Sequence, residues 1–208
     1  MLDAFGQSLR VGLSQSSAPA SEPISTAVAK LQLRVDGSTD DTLIETLCAA
    51  AREYVEDRTQ RKLITQTWDL KLDQFPVRGA GQPAIVLPFL PVASISSITY
   101  TAEGGSSTVL NSALYTTDIL LGPNAGPVRI VPAFEQAWPS TRAVINAVVV
   151  QFVCGYGASG TSVPGGFLAA MKLLIGHWYT NRESVVVGAI SSELEHGVDD
   201  FISQYKVY

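Results

Sequence analysis

Apolar residues spaced three and four apart predict two long helices in this chain. The first covers about Asp40 to Arg58, and the second covers Val163 to Glu183. Pro164 suits a first helical turn, because its missing N–H would have no helical partner there. The second helix is apolar around most of its girth, which is typical of a helix buried between other elements or between subunits. We therefore expect it to be the central core helix.

Two shorter helical patterns accompany the long helices. Ser25 is a candidate N-cap for a helix over Thr26 to Leu33. Val28 and Leu31 are the large apolar residues of that helix, and we expect them to face inward. A last helix is predicted over Glu193 to Ser203, where apolar residues again recur at helical spacing.

Between the long helices, residues 65–153 predict a mainly antiparallel β region, because apolar and polar residues there alternate. The Gly-rich turn at 103–105 predicts one hairpin. A second hairpin is predicted from Tyr115 to Leu121 and Val128 to Val131, and a β-branched strand from Asn146 to Val153. The predicted fold class is α+β: a helical subunit, with two main helices and short terminal helices, that carries an inserted β region.

The same pattern predicts three kinds of segment along the chain. Residues 1–23 are rich in Ser, Ala and Gly and are expected to form a flexible N-terminal arm. Residues 24–64 and 154–208 are expected to form the helical core, and residues 65–153 the β-rich insertion.

Composition narrows the function classes. Of the 208 residues, 46% are hydrophobic, which is enough for a substantial core. The formal net charge of −5 argues against a dedicated DNA-binding protein, but not against a surface that DNA merely slides past. No apolar run reaches the length of a membrane span, and no leader with a cleavage signal is apparent, so we expect a soluble protein made in a cytoplasm. Cys48 and Cys154 fit no metal-binding spacing and are expected to be buried free thiols.

The sequence lacks the patterns that carry most enzyme chemistry. Four motifs are absent from it: the zinc-protease motif, the redox-cysteine motif, the nucleophile elbow and the phosphate-binding loop. His177 and His196 stand alone, and the pair Asp199–Asp200 has no further oxygen ligands nearby in sequence. We therefore predict no catalytic, cofactor-binding or metal-binding residues and no enzymatic activity.

Aromatic residues of the β region leave one alternative open. They could form a platform for a small ligand or a carbohydrate, whereas the competing explanation is that the rings belong to the core or to hairpin pairs. The residues concerned are Trp68, Tyr100, Tyr115 and Trp138.

The order of these pieces resembles the head–tail connector (adaptor, or head-completion) proteins of long-tailed bacteriophages and gene transfer agents. The resemblance covers about half of the chain, and it is carried by the set of runs in their order. It rests on four runs, Ile24 to Leu70, Ile85 to Tyr100, Val148 to Gly157 and Val163 to Gly188.

The resemblance implies a structural virion protein at the head–tail interface, made in the host cytoplasm. Such subunits form a ring, commonly dodecameric, that docks under the portal protein, joins capsid to tail and leaves a channel. The implied partners are further copies of the chain, the portal and a tail-side stopper or terminator protein. DNA would pass through without specific binding, no membrane is involved, and neither catalytic residues nor cofactors are implied. A monomer in isolation is compatible with this, since such rings often close only on a template.

A heterologous ring needs two unlike apolar surfaces on each subunit, and the two long helices could supply one each. The residues predicted for subunit packing are Leu47, Tyr54, Phe167, Met171, Leu174 and Trp178. The C-terminal segment is predicted to dock on a neighbour, most readily the portal, because a free apolar and aromatic terminus needs cover. Its predicted contact residues are Leu194, Val198, Phe201, Ile202, Tyr205 and Tyr208. The competing explanation is that this stripe folds back on the core of its own subunit.

Overall fold

The structure is a computed structural model of the chain. It describes residues 11–77, 83–120, 122, 125–181 and 191–206, and for Val11 and residues 191–195 it describes the backbone only. The described residues form two compact units. The β unit draws on the segments Met1–Ala18 and Gln66–Cys154, and the helical unit draws on Pro19–Thr65 and Gly155–Tyr208.

Four α-helices build the described part of the helical unit. They are α1 (Thr26–Leu33), α2 (Asp41–Thr59), α3 (Gly165–Thr180) and α4 (Ser191–Ile202). Single 3₁₀ turns precede α3 at Gly160–Ser162 and follow α4 at Ser203–Tyr205. All four α-helices were predicted, with bounds that differ by no more than three residues where the structure describes them. The predicted end of the central helix at residues 182–183 lies outside the described residues.

Helix α1 has the predicted bounds but not the predicted inward face. The Ser25 hydroxyl accepts a hydrogen bond from the Val28 N–H at 3.4 Å, so the predicted N-cap is confirmed. Val28 and Leu31, however, are 41% and 81% exposed, and the buried residue is Ala29, at 1%. The prediction that Val28 and Leu31 face inward is therefore wrong. The short helix packs through its smallest apolar residue, which allows a close approach.

The β unit contains two antiparallel sheets. Its strands are β1 (Val11–Ser17), β2 (Gln66–Leu72), β3 (Ile85–Val86), β4 (Val92–Thr101), β5 (Ser107–Val109), β6 (Tyr115–Asp118), β7 (Arg129–Pro132) and β8 (Val148–Cys154). One sheet has the order β1-β2-β8-β4-β5, and the other has the order β3-β7-β6. All strand pairs formed by the described residues are antiparallel, and the predicted α+β class is confirmed.

Both predicted hairpins are present. In the first, the Gly105 N–H donates to the Ala102 carbonyl at 2.8 Å, and Gly105 has a φ of +90°, which a residue with a side chain rarely adopts. In the second, β6 pairs with β7, so that Tyr115 lies opposite Pro132.

Part of the predicted N-terminal arm is ordered. Residues 11–17 form β1, an edge strand that pairs with β2 from Val11–Leu72 to Ser17–Thr67. Beyond it, the Ser21 hydroxyl donates to the Ala158 carbonyl at 2.9 Å, and Pro23 is buried. The prediction of a flexible arm is therefore wrong for residues 11–17, because pairing with β2 satisfies their backbone, and the Ser21 hydrogen bond and the buried Pro23 anchor the residues that follow. Residues 1–10 lie outside the described residues.

The core of the helical unit is built around α3, as predicted for the central helix. Its members come from all four α-helices and from the segments that flank them. The fully buried residues of α3 are Phe167, Ala170, Met171, Leu174 and Ile175, each 2% exposed or less. These residues recur at spacings of three and four, so they form one broad face of α3 that packs against α2 and α4.

Both cysteine thiols should be unreactive in the folded chain. Cys48 and Cys154 are buried, and neither forms a disulfide bond, as predicted. Burial, with smaller contributions from Glu22 and Glu45, raises the pKa of the Cys48 thiol from 9.0 to about 11. The thiolate is the reactive form, so we expect a chromogenic disulfide reagent at pH 8 to titrate both thiols only after denaturant is added. Prompt reaction of either thiol in the folded chain would contradict this.

The raised pKa also fixes how Cys48 affects stability at alkaline pH. The folded-state pKa lies above the unfolded value, so the contribution is fully present below pH 9 and is lost as pH rises toward about 11.

Candidate subunit-interface site

A buried carboxylate organises the end of α2. Glu56 is 2% exposed, and its Oε1 accepts the backbone N–H of Leu63 at 2.8 Å. Its Oε2 contacts Lys62 Nζ at 3.1 Å and Arg52 Nη1 at 3.5 Å. One carboxylate therefore holds α2 against the extended segment that follows it, because a buried charge needs such partners.

Arg52 extends this network to the N-terminal side of the helical unit. Its Nε donates to Glu22 at 2.9 Å, and its Nη2 lies 3.3 Å from Glu53. Burial alone would lower the pKa of Arg52, but the Glu22 hydrogen bond and the charges of Glu22, Glu56 and Glu53 outweigh it and raise that pKa. The guanidinium is thus a fixed structural cation.

The C-terminal segment is anchored within the helical unit. Arg61 Nε donates to the Tyr205 carbonyl at 2.7 Å, and the Tyr205 ring stacks on Phe167 with centroids 4.2 Å apart. A side chain at Gly166 would meet the Phe201 carbonyl at 2.9 Å, so glycine there permits α4 to lie close to α3. Burial raises the pKa of the adjacent Tyr156 hydroxyl against the opposing effect of Arg61.

These contacts correct the predicted docking role of the C-terminal segment. Val198, Ile202 and Tyr205 are 1%, 0% and 8% exposed and belong to the core of the helical unit. They cannot contact a neighbour while that packing persists, so the competing explanation applies to them. Phe201 is 41% exposed and remains a candidate contact residue. The Leu194 side chain and Tyr208 lie outside the described residues.

The residues predicted for subunit packing divide into two groups. Phe167, Met171 and Leu174 are buried within their own unit and are not available to a neighbouring subunit. The other three are partly buried and pack against the same core; they are Leu47, Tyr54 and Trp178. Tyr54 meets Trp178 edge-on at 6.0 Å between centroids, and the Arg58 guanidinium lies 5.0 Å from the Tyr54 ring centre. The two rings thus stabilise the packing of α2 against α3 at the edge of the core.

The helical unit has two exposed apolar surfaces, of whose residues only Phe201 was predicted to contact a neighbour. The α1 patch consists of Ala27, Val28 and Leu31, which share one exposed helix face. The α4 patch consists of Leu173 of α3 and Phe201 of α4, which are 40% and 41% exposed. One sequence signal pointed to the second patch: α3 carries more apolar residues than one buried face can accommodate.

The aromatic residues of the β unit do not form one platform. Trp138 stacks on the buried Phe75 at 4.8 Å, and its Nε1 donates to the Pro83 carbonyl at 2.8 Å. Tyr100 also packs on Phe75, at 5.8 Å between centroids. These two rings therefore serve the packing of the unit.

Trp68 and Tyr115 lie elsewhere. Trp68 packs on Phe89 at 4.7 Å and aligns, through β8, with Ile95. Tyr100 lies five positions after Ile95 on β4, which is roughly 16 Å along a strand. Tyr115 belongs to the other sheet. The alternative of a ligand-binding aromatic platform is not supported.

Titratable residues in the described part of the chain are mostly engaged in structural pairs. Asp199 contacts Arg58 at 3.5 Å and Lys206 at 3.2 Å, and His177 lies 3.3 Å from the Asn181 amide nitrogen. Among the described residues, no three histidine, cysteine, aspartate or glutamate side chains gather as metal ligands would.

None of the described helices combines the length and the apolar character that crossing a bilayer requires.

Comparison with known proteins points to one class. The family model of the phage gp6-like head–tail connector proteins matches residues 25–109, which include α1, α2 and the strands β2 to β5. Among curated proteins, none matches the sequence significantly.

Solved structures extend the likeness to nearly the whole chain. A chain in the neck of an empty gene transfer agent particle, computed with C6 symmetry, is 22% identical with a TM-score of 0.75. It covers 95% of this chain and 96% of its own. A chain of a native gene transfer agent virion is 21% identical with a TM-score of 0.72, covering 94% and 95%. A third, in a native neck computed with C12 symmetry, is 19% identical with a TM-score of 0.67, covering 95% and 96%.

These matches establish the fold, which is an α+β fold with a β unit between helical segments. The resemblance to phage and gene transfer agent head–tail connector proteins, predicted from the sequence, is thereby confirmed.

Proposed function

We propose that this chain is a structural virion protein, a subunit of the head–tail connector at the interface between capsid and tail. The observation that carries the proposal is the match, over 95% of the chain, to a protein in the neck of a gene transfer agent particle. The family match over residues 25–109 supports the same role independently. A neck subunit acts through its surfaces, so the helical unit and its exposed patches are the relevant site.

We also propose the partners of this subunit. The C6 and C12 symmetries of the matching necks support a closed ring of the chain. We propose that the ring contains twelve copies. The ring would dock under the portal on one side and meet a tail-side stopper or terminator on the other. The net charge of −5 suits a channel that DNA traverses without specific binding, because a basic wall would retain the phosphates.

Particles made without this chain should contain filled heads that lack tails. Supplying the wild-type chain in trans should restore tailed particles, and the chain should co-purify with them and bind purified portal. Negative-stain imaging and gel analysis of the particles measure both. Tailed particles formed without the chain, or a chain that neither binds portal nor enters particles, would overturn the proposal. Entry into particles is the readout because a ring that closes only on a template is monomeric in solution.

A further inference from the structure

A ring of identical subunits needs two unlike surfaces on each subunit, one that contacts the preceding copy and one that contacts the next. We infer that the α1 patch of one subunit docks on the α4 patch of the next copy, an inference that rests on the proposed ring. Both patches belong to the helical unit.

The α1 patch has the composition of an interface centre. Leu31 is 81% exposed and Val28 is 41% exposed, and these residues lie three apart on one helix face with Ala27 beside them. The inner side of the same helix is already occupied, because Ala29 is packed in the core. The short helix therefore presents its larger apolar groups outward, where a second copy can cover them.

The α4 patch offers a shallow receiving surface. A Cβ added at Gly197 would be 3.9 Å from a Leu173 methyl, and Phe201 follows Gly197 one helical turn further on. With no side chain at Gly197, the surface between the leucine and the phenylalanine is open to a side chain of a neighbour. Phe201 supplies the large aromatic group that interface centres favour.

Charge at the two rims is complementary. Arg34, the exposed residue that ends α1, forms no ion pair with any described residue. Asp200, the exposed neighbour of Phe201, likewise has no cationic partner within the described ranges. The nearby Lys30 and Asp199, in contrast, are neutralised by Asp41 and by Arg58 and Lys206. A cation beside one patch and an anion beside the other, neither of them paired with another described residue, favour head-to-tail contact and disfavour like-to-like contact.

The small size of the patches accounts for assembly on a template. A standard stable interface involves about 20–30 residues on each side, and the two patches offer far fewer. A single contact is therefore weak, whereas subunits held side by side on a portal meet at high effective concentration. This arrangement accounts for a subunit that is monomeric in isolation and forms a ring in the particle.

Charge reversal tests the pairing in assembling particles. Arg34→Asp alone and Asp200→Arg alone should each lower the amount of subunit in particles by at least about tenfold, because like charges then meet at every contact. The double variant should restore incorporation, since the opposite charges face each other again. Single reversals that leave incorporation unchanged, or a double variant that is no better than the singles, would overturn the pairing.

Cross-linking provides a second test that leaves the apolar residues in place. Gln32 and Gln204 are exposed and flank the two patches, and both native cysteines are buried. Particles carrying Gln32→Cys together with Gln204→Cys, treated with a short bismaleimide, should give a ladder of subunit multiples on a denaturing gel. Either single variant should give monomers only, and the control pair Thr46→Cys with Gln204→Cys should give no ladder.

The outcomes separate this inference from the proposed function. Subunits that enter particles but give no ladder, that cross-link as single variants, or that cross-link to a different protein overturn the pairing and leave the connector role intact. Wild-type subunits that never enter particles overturn both.

Discussion

Ile202→Ala should destabilise the helical unit by about 2–5 kcal/mol, the usual cost of emptying a buried aliphatic site. Ile202 is 0% exposed and packs in the core with α3. Its neighbour Phe201 is 41% exposed, so Phe201→Ala should cost less than about 1 kcal/mol. Denaturant titration of the two purified variants measures the difference.

The order of the two variants should be reversed in assembly: the variant with the smaller loss of stability should show the larger loss of incorporation into particles. At a temperature where both are folded, Phe201→Ala should enter particles poorly, whereas Ile202→Ala should enter at nearly the wild-type level. This comparison decides between docking and core roles for the C-terminal segment residue by residue. Equal stability losses, or normal incorporation of Phe201→Ala, would contradict the assignment of the α4 patch.

Glu56→Gln should cost the helical unit about 2–4 kcal/mol, within the range seen when one partner of a buried ion pair is neutralised. The amide oxygen can still accept the Leu63 N–H, but the amide nitrogen cannot replace the second oxygen that meets Lys62 and Arg52. Lys62 and Arg52 then each lose one of the charges that compensate them. Thermal and denaturant unfolding measure the loss.

Glu53→Gln is the matched control for that change. It removes the same charge from the same partner, since Glu53 lies 3.3 Å from Arg52, but its side chain is 71% exposed. Exposed pairs contribute little, so the expected loss is below about 1 kcal/mol. Similar losses for Glu53→Gln and Glu56→Gln would show that burial does not govern this network.

Periodicity predicted the helices well because each carries its own signal. The bounds of α1 followed from Ser25 and the residues up to Leu33, and those of α2 and α3 from long apolar stripes. The direction in which α1 faces was not predictable in the same way. Eight residues with one buried alanine give no clear stripe, and an exposed leucine is common enough that pattern alone cannot mark it.

Strand β1 and the interface residues depend on information that lies far away in the chain. The sequence of residues 11–17 indicates a polar, Ser-rich arm, and only pairing with β2, whose partner residues lie 50 to 61 positions further on, makes them a strand. The C-terminal stripe was recognised as apolar, but the choice between a neighbour and its own core rested on the Arg61–Tyr205 contact, 144 residues apart. Local sequence carries no signal for such pairings.

The division of both units along the chain has a consequence for synthesis. Strand β1 leaves the ribosome early, yet the sheet that it borders includes β8, and the helical core that α2 begins is completed by α3 and α4. Neither core can therefore close until most of the chain has been translated. At about 5–20 residues per second, the nascent chain displays the apolar stripe of α2 for several seconds before α3 emerges to cover it. Such a chain is a natural client for chaperones that hold exposed apolar segments.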